Sequence, residues 1–153
     1  MLTRSEILGV LLAFVFGAAI GLERELRGKS AGLRTNILIC LGAAVFAIIS
    51  KKMAADPNSI TRVAAQVVTG VGFLGAGAII QDRGGVHGLT TAATIWVVAS
   101  IGVACGAGLI KLAFIATLLA AVALIGLSHI EKPIYARRKK RAAESNAGEQ
   151  TEQ

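Results

Sequence analysis

Five apolar blocks separated by short polar intervals set the pattern of this chain. They run from Ile7 to Leu22, Leu33 to Ser50, Val63 to Ile80, Leu89 to Ala107 and Leu112 to Leu127. Between Val63 and Ile80 there is no ionisable side chain. As a helix that block is about 27 Å long at 1.5 Å per residue, close to a hydrocarbon core of about 30 Å. The blocks are apolar all round instead of along one stripe, which separates them from the surface helices of a soluble domain. The pattern predicts an all-α protein, a polytopic transmembrane helical bundle of five spans. Four spans is the alternative, if Gly106 to Lys111 continues one bent segment.

The polar intervals refine this picture. Glu23-Arg-Glu-Leu-Arg-Gly-Lys29 and Arg34 form the first charged interval. Lys51 to Arg62 reads as a polar turn, with Pro57 disfavouring helix at Asp56. Gln81 to Gly88 is a short polar loop. A cleaved signal peptide is a competing reading of the first block, but Glu6 weakens its charged start and no A-x-A site follows. From Glu131 the apolar pattern stops, so the chain divides into a membrane domain, 1–130, and a basic tail, 131–153, whose composition predicts disorder.

Composition supports a membrane protein: 54% of residues are hydrophobic and 16% charged, with a net charge of +7. That charge gathers near the first loop and in Arg137-Arg-Lys-Lys-Arg141. With the first loop inside, the inner segments hold eleven Lys and Arg and the outer ones five. Positive-inside bias then places the N-terminus outside and the C-terminus inside. The terminal cluster fits an anionic lipid surface, and nucleic acid is not an expected partner. Cys40 and Cys105 lie inside apolar blocks and read as small buried hydrophobes.

Small residues suggest how the helices meet. In lipid they let backbones approach, so Gly70, Gly72, Gly75 and Gly77 are expected to pack against a neighbour, as is the Gly17-x-x-x-Gly21 pattern. Thr90, Thr91 and Thr94 read as helix-contact or backbone-bonding hydroxyls. Gln66, Gly70, Phe73 and Gly77 share one helical face, at i, i+4, i+7 and i+11. Gly70-Val-Gly-Phe-Leu-Gly75 matches the dinucleotide fingerprint in letters, but it sits inside an apolar span without the strand, helix start and acidic residue that site needs.

The candidate functional polar cluster is Glu23, Arg24, Arg34, Gln66, Asp82 and Arg83, since ionisable and amide groups near membrane depth commonly mark pathways or partner contacts. Glu23, Glu25 and Asp82 fall on the inner side, where they pair with Arg34 or Arg83 or attract a hydrated divalent cation. The spacing does not separate these two outcomes, and the metal is left unassigned. His87 stands alone, without zinc-ligand spacing. No Ser-His-acid or Cys-His arrangement is visible, so neither catalytic residues nor a cofactor are expected, and the chain is not read as an enzyme.

Several separated motifs carry a resemblance. Gly21-Leu-Glu-Arg-Glu25, Ala31-Gly-Leu-Arg-Thr35, Arg62, Gln66, Gly70 to Gly77 and Gly88-Leu-Thr-Thr-Ala-Ala-Thr-Ile-Trp96 are similar to the MgtC/SapB membrane-protein family. The resemblance covers roughly the first 130 residues. It implies a multi-pass protein of the bacterial cytoplasmic (inner) membrane, in a virulence-related family associated with magnesium limitation and survival in host cells. It also implies restraint of the F-type ATP synthase as a possible partner interaction. MgtC-type members usually carry a soluble domain after the membrane part, so the short SapB-like form is the nearer comparison. Two functional classes are expected: regulation of magnesium or membrane-energy homeostasis through a membrane partner, or a small ion transporter or channel. A homo-oligomer is compatible with both.

Overall fold

The computed structural model describes residues 2–54, 57–82 and 85–126, with backbone alone at 57–64 and 82. The tail 131–153, with its basic cluster, and Arg83 lie outside the described residues. The chain forms two compact units, Met1–Ala120 and Ala121–Gln153; of the second, only the end of a helix is described.

The fold is all-α, as the apolar blocks predict, with one small exception. In chain order the elements are α1 (Arg4–Leu26), α2 (Leu33–Met53), α3 (Pro57–Gly77), β1 (Ile80–Asp82), β2 (Gly85–His87) and α4 (Leu89–Ala107), followed by α5 (Ile110–Gly126). Three helices, α1, α2 and α4, are long and apolar enough to cross a membrane. The apolar part of α3 from Ala65 and the described part of α5 are shorter.

Helix boundaries follow local chemistry. α1 begins three residues before the first apolar block because Thr3 and Glu6 form a capping box: the Glu6 amide donates to Thr3 Oγ1 at 3.3 Å, and the Thr3 amide to Glu6 Oε2 at 2.7 Å. α3 begins at Pro57, where proline's fixed φ and missing donor suit a first helical position. The interval expected to be a turn up to Arg62 therefore contains the first residues of α3. α4 stops at Gly108, which is left-handed at φ 86° and donates to the Ala104 and Cys105 carbonyls. That cap ends one helix before the next starts, so α4 and α5 are separate helices, not one bent segment.

The loop expected from Gln81 to Gly88 is an antiparallel hairpin with Ile80 opposite His87 and Gln81 opposite Val86. Gly88, at φ 87°, turns the chain into α4. A Cβ there would collide with the Ala78 carbonyl, so only glycine allows the end of α3 and the start of α4 to approach so closely.

α1, α2 and α4 form the tightest part of the bundle. Ala13, Cys40, Ala44 and Val98 have no exposed surface, and Ile20, Ile101 and Cys105 almost none. Backbone proximity here depends on glycine. A Cβ on Gly17 would stand 2.9 Å from the Asn36 carbonyl oxygen, and one on Gly21 2.9 Å from the Leu33 Cα. On α4, a Cβ at Gly102 would run into the Cys40 carbonyl and one at Gly106 into the Ala44 carbonyl. The Gly17–Gly21 pattern is thus used as expected. The α3 glycines are not: among the described residues, Gly70, Gly72 and Gly77 have nothing within 4 Å of a Cβ position, and Gly75 only reaches ordinary contact with Ala92 at 3.7 Å. The packing expected of α3 falls on α1 and α4, because glycine content alone does not say which face meets a neighbour. A second cluster, Ala31, Ala43, Val71, Ile95 and Ala99, holds α3 to α2 and α4. On α5, Phe114 packs against Phe16 with ring centroids 6.3 Å apart, while Ala113 and Thr117 are buried.

Candidate functional site

The last turn of α1 and the first turns of α2 and α4 meet at one end of the bundle, and their polar side chains are enclosed there. Arg24 is 3% exposed and Asn36 fully buried. Each sits where a helix end must be matched. Arg24 follows Gly21 by one turn, on the α1 face that approaches α2, so its guanidinium enters the junction instead of leaving toward an interface. Its Nη2 donates to Thr91 Oγ1 at 3.0 Å, joining α1 to the first turn of α4. Its Nη1 lies 3.9 Å from Glu23 Oε2.

Glu23 is itself held by Arg27, with Nε 2.6 Å from Oε1 across one helical turn. The carboxylate is 11% exposed. Two cations of α1, Arg24 and Arg27, thus stand around one acid. Asn36 donates twice from Nδ2, to the Ala31 and Gly32 carbonyls at 2.7 and 2.8 Å. Those carbonyls belong to the connection leading into α2, so Asn36 closes the turn it follows. Glu25 completes the set: its Oε2 accepts from the Leu33 amide at 2.9 Å, an anion on the positive end of α2. Gly32 has no side chain to cap that end, and the carboxylate lies where a Cβ would be.

Some polar atoms of the junction are left over. Arg24 Nε, Asn36 Oδ1 and both Glu23 oxygens are buried without a hydrogen bond; for Glu23 the interaction with Arg27 is an ion pair without hydrogen-bond alignment. At the opposite end, Lys52 Nζ meets Glu6 Oε2 at 3.0 Å, tying the start of α1 to the end of α2.

Of the residues expected to form the functional cluster, the structure brings Glu23 and Arg24 together. Arg34 is exposed in the first turn of α2. Gln66 is exposed on α3, lining a cleft against α2 instead of the junction. Asp82 lies on β1 opposite Gly85, its side chain outside the description, as is Arg83. Asn36 and Thr91 were not in the expected functional set, yet they hold the junction. A signal was available: Asn36 follows Gly32 by one helical turn, and Thr91 follows Gly88 at a helix start. Thr94 is buried and donates to the Thr90 carbonyl at 2.7 Å, whereas Thr90 is exposed.

The arrangement has a direct bearing on cation binding. Glu23 faces Arg24 and Arg27, and Glu25 is spent on the Leu33 amide. Among the described residues no three His, Cys, Asp or Glu side chains converge.

The family model described as "MgtC family" matches residues 10–133. Among similar curated proteins, Protein MgtC of Brucella abortus is 49% identical over 122 residues, covering 80% of this chain and 49% of the relative. Protein MgtC of Salmonella typhimurium is 51% identical over 119 residues, covering 78% of this chain and 51% of the relative. The chain thus spans about half the length of the curated relatives it matches. No solved structure gives a significant match.

Proposed function

From the premise that this chain belongs to the MgtC family, we propose that it is a regulatory protein of the bacterial cytoplasmic membrane. It crosses that membrane several times, with its N-terminus outside, and acts on magnesium or membrane-energy homeostasis by binding another membrane protein. The observation that carries this reading is the closed polar junction. Arg24 reaches Thr91 of α4 and Glu25 the Leu33 amide of α2, while Glu23 is held by Arg27 within α1 and Asn36 closes the α1–α2 connection, all at one end of the bundle. The centre of α1, α2 and α4 is filled by Ala13, Cys40, Val98 and Ile101. A transporter instead needs a site near the midplane reached from both sides, commonly built from broken helices. Large apolar side chains on the outer faces, such as Phe14, Phe46, Phe73 and Trp96, are available to lipid or to a partner helix.

The alternative, a small ion transporter or channel, draws on the incompletely bonded Glu23 and Arg24 at the junction, since buried ionised groups often mark ion paths. Crosslinked affinity purification from native membranes tests the regulatory reading. A specific membrane protein is expected to co-purify, and the F-type ATP synthase is the partner that the family resemblance suggests. Recovery of the chain alone, from both magnesium-replete and magnesium-limited cells, would contradict it.

A further inference from the structure

Four atoms at the junction of α1, α2 and α4 share one property. Arg24 Nε, Asn36 Oδ1 and both Glu23 oxygens are buried without a hydrogen bond among the described residues. Two of the side chains are not free to turn toward a partner. Asn36 Nδ2 donates to the Ala31 and Gly32 carbonyls at 2.7 and 2.8 Å. Turning the amide over would set its oxygen against two carbonyl oxygens, so Oδ1 keeps its direction. Arg24 Nη2 is held by Thr91 Oγ1 at 3.0 Å, and because the guanidinium is planar that bond also limits where Nε–H points. α1 and α2 are close here: a Cβ on Gly21, one turn before Arg24, would stand 3.1 Å from Asn36 Cβ.

Buried polar groups are rarely left unpaired. Losing hydration without a replacement partner costs more than immobilising a water molecule. The chemistry of the set selects the partner. Three of the four atoms are acceptors and one, Arg24 Nε–H, is a donor. A cation serves the acceptors only, and beside Arg24 and Arg27 it is repelled. An anion serves Nε alone and is repelled by Glu23. Water both donates and accepts, and internal waters commonly make about three hydrogen bonds to otherwise unpaired groups.

We infer that the junction is a site for internal water, which donates to Asn36 Oδ1 and the Glu23 carboxylate and accepts from Arg24 Nε. Water held there joins α1 to α2, beside the direct Arg24–Thr91 link from α1 to α4. The inference stands apart from the regulatory reading, since internal water is compatible with regulation or transport.

Solid-state NMR of the isotope-labelled full chain in liposomes tests it, by magnetisation transfer from water. Arg24 Nε and the Asn36 side-chain amide are assigned through their own backbone resonances, so no variant has to fold. Both are expected to receive water magnetisation several-fold faster than the backbone amides of Val98 and Ile101, in the apolar centre. Both should also receive it more slowly than the exposed Arg34 side chain. Transfer as slow as at Val98 and Ile101 would overturn the inference, because the junction would be dry. Transfer as fast as at Arg34 would overturn it too, showing open solvent in place of a held molecule. So would a high-resolution structure in which Arg24 Nε bonds Asn36 Oδ1 or Glu23 directly, leaving water nothing to bridge.

Discussion

At the residue scale, Arg24 carries the most electrostatic consequence. A guanidinium that is 3% exposed has given up its hydration for one hydroxyl and one carboxylate. Breaking a buried ion pair from one side costs about 3–5 kcal/mol, because the remaining charge stays buried. Arg24→Met is therefore expected to lower thermal stability in detergent far more than Arg27→Met, since Arg27 is 30% exposed and its contribution is screened. Equal melting temperatures for the two variants would show that Arg24 is solvated in the membrane-embedded protein. Sequence patterning placed Glu23 and Arg24 in one polar cluster but did not reveal their burial. Charged residues at a helix end usually reach an interface; here glycines at 17 and 21 bring α2 close enough to enclose the next turn of α1. Thr91 was legible as a contact hydroxyl, while its partner was not, because 67 residues separate the two.

At the scale of elements, hydrophobic blocks located the five helices among the described residues, and α4 matches its expected limits, Leu89–Ala107. Misplaced starts trace to local signals that apolar runs overlook: the Thr3-x-x-Glu6 box for α1 and Pro57 as a first helical residue for α3. The hairpin from Ile80 to His87 was read as loop because each strand has only three residues, too few for an alternating pattern. Glycines were the harder case. Whether a glycine is a contact or merely a gap depends on the opposing backbone, which no single helix specifies. Gly102→Ala should thus destabilise the protein by about 1–3 kcal/mol through overpacking against Cys40 and Ala43. Gly72→Ala, in open space, should be neutral or stabilise by about 0.5–1 kcal/mol through helix propensity. Thermal unfolding of both variants checks this, and the opposite order would mean that α3, not α4, makes the critical backbone approach.

At the scale of the whole molecule, the helices place the polar junction and the Glu6–Lys52 pair at opposite ends of α1 and α2. On the topology proposed from positive-inside bias, the junction end, with Arg27, Lys29 and Arg34, is expected on the cytoplasmic side. Reporter fusions at Met1 and Gln153 are expected to report an outside N-terminus and an inside C-terminus; both ends in one compartment would remove the five-span arrangement. The regulatory reading makes a further demand, that the chain itself carries no ions. The most direct measurement is flux through liposomes containing the purified protein, with magnesium- and proton-sensitive dyes inside. Rates equal to those of empty vesicles are predicted, for the unaltered chain and for Glu23→Gln alike. Reproducible magnesium or proton flux that is lost in Glu23→Gln, with no other protein present, would contradict the account.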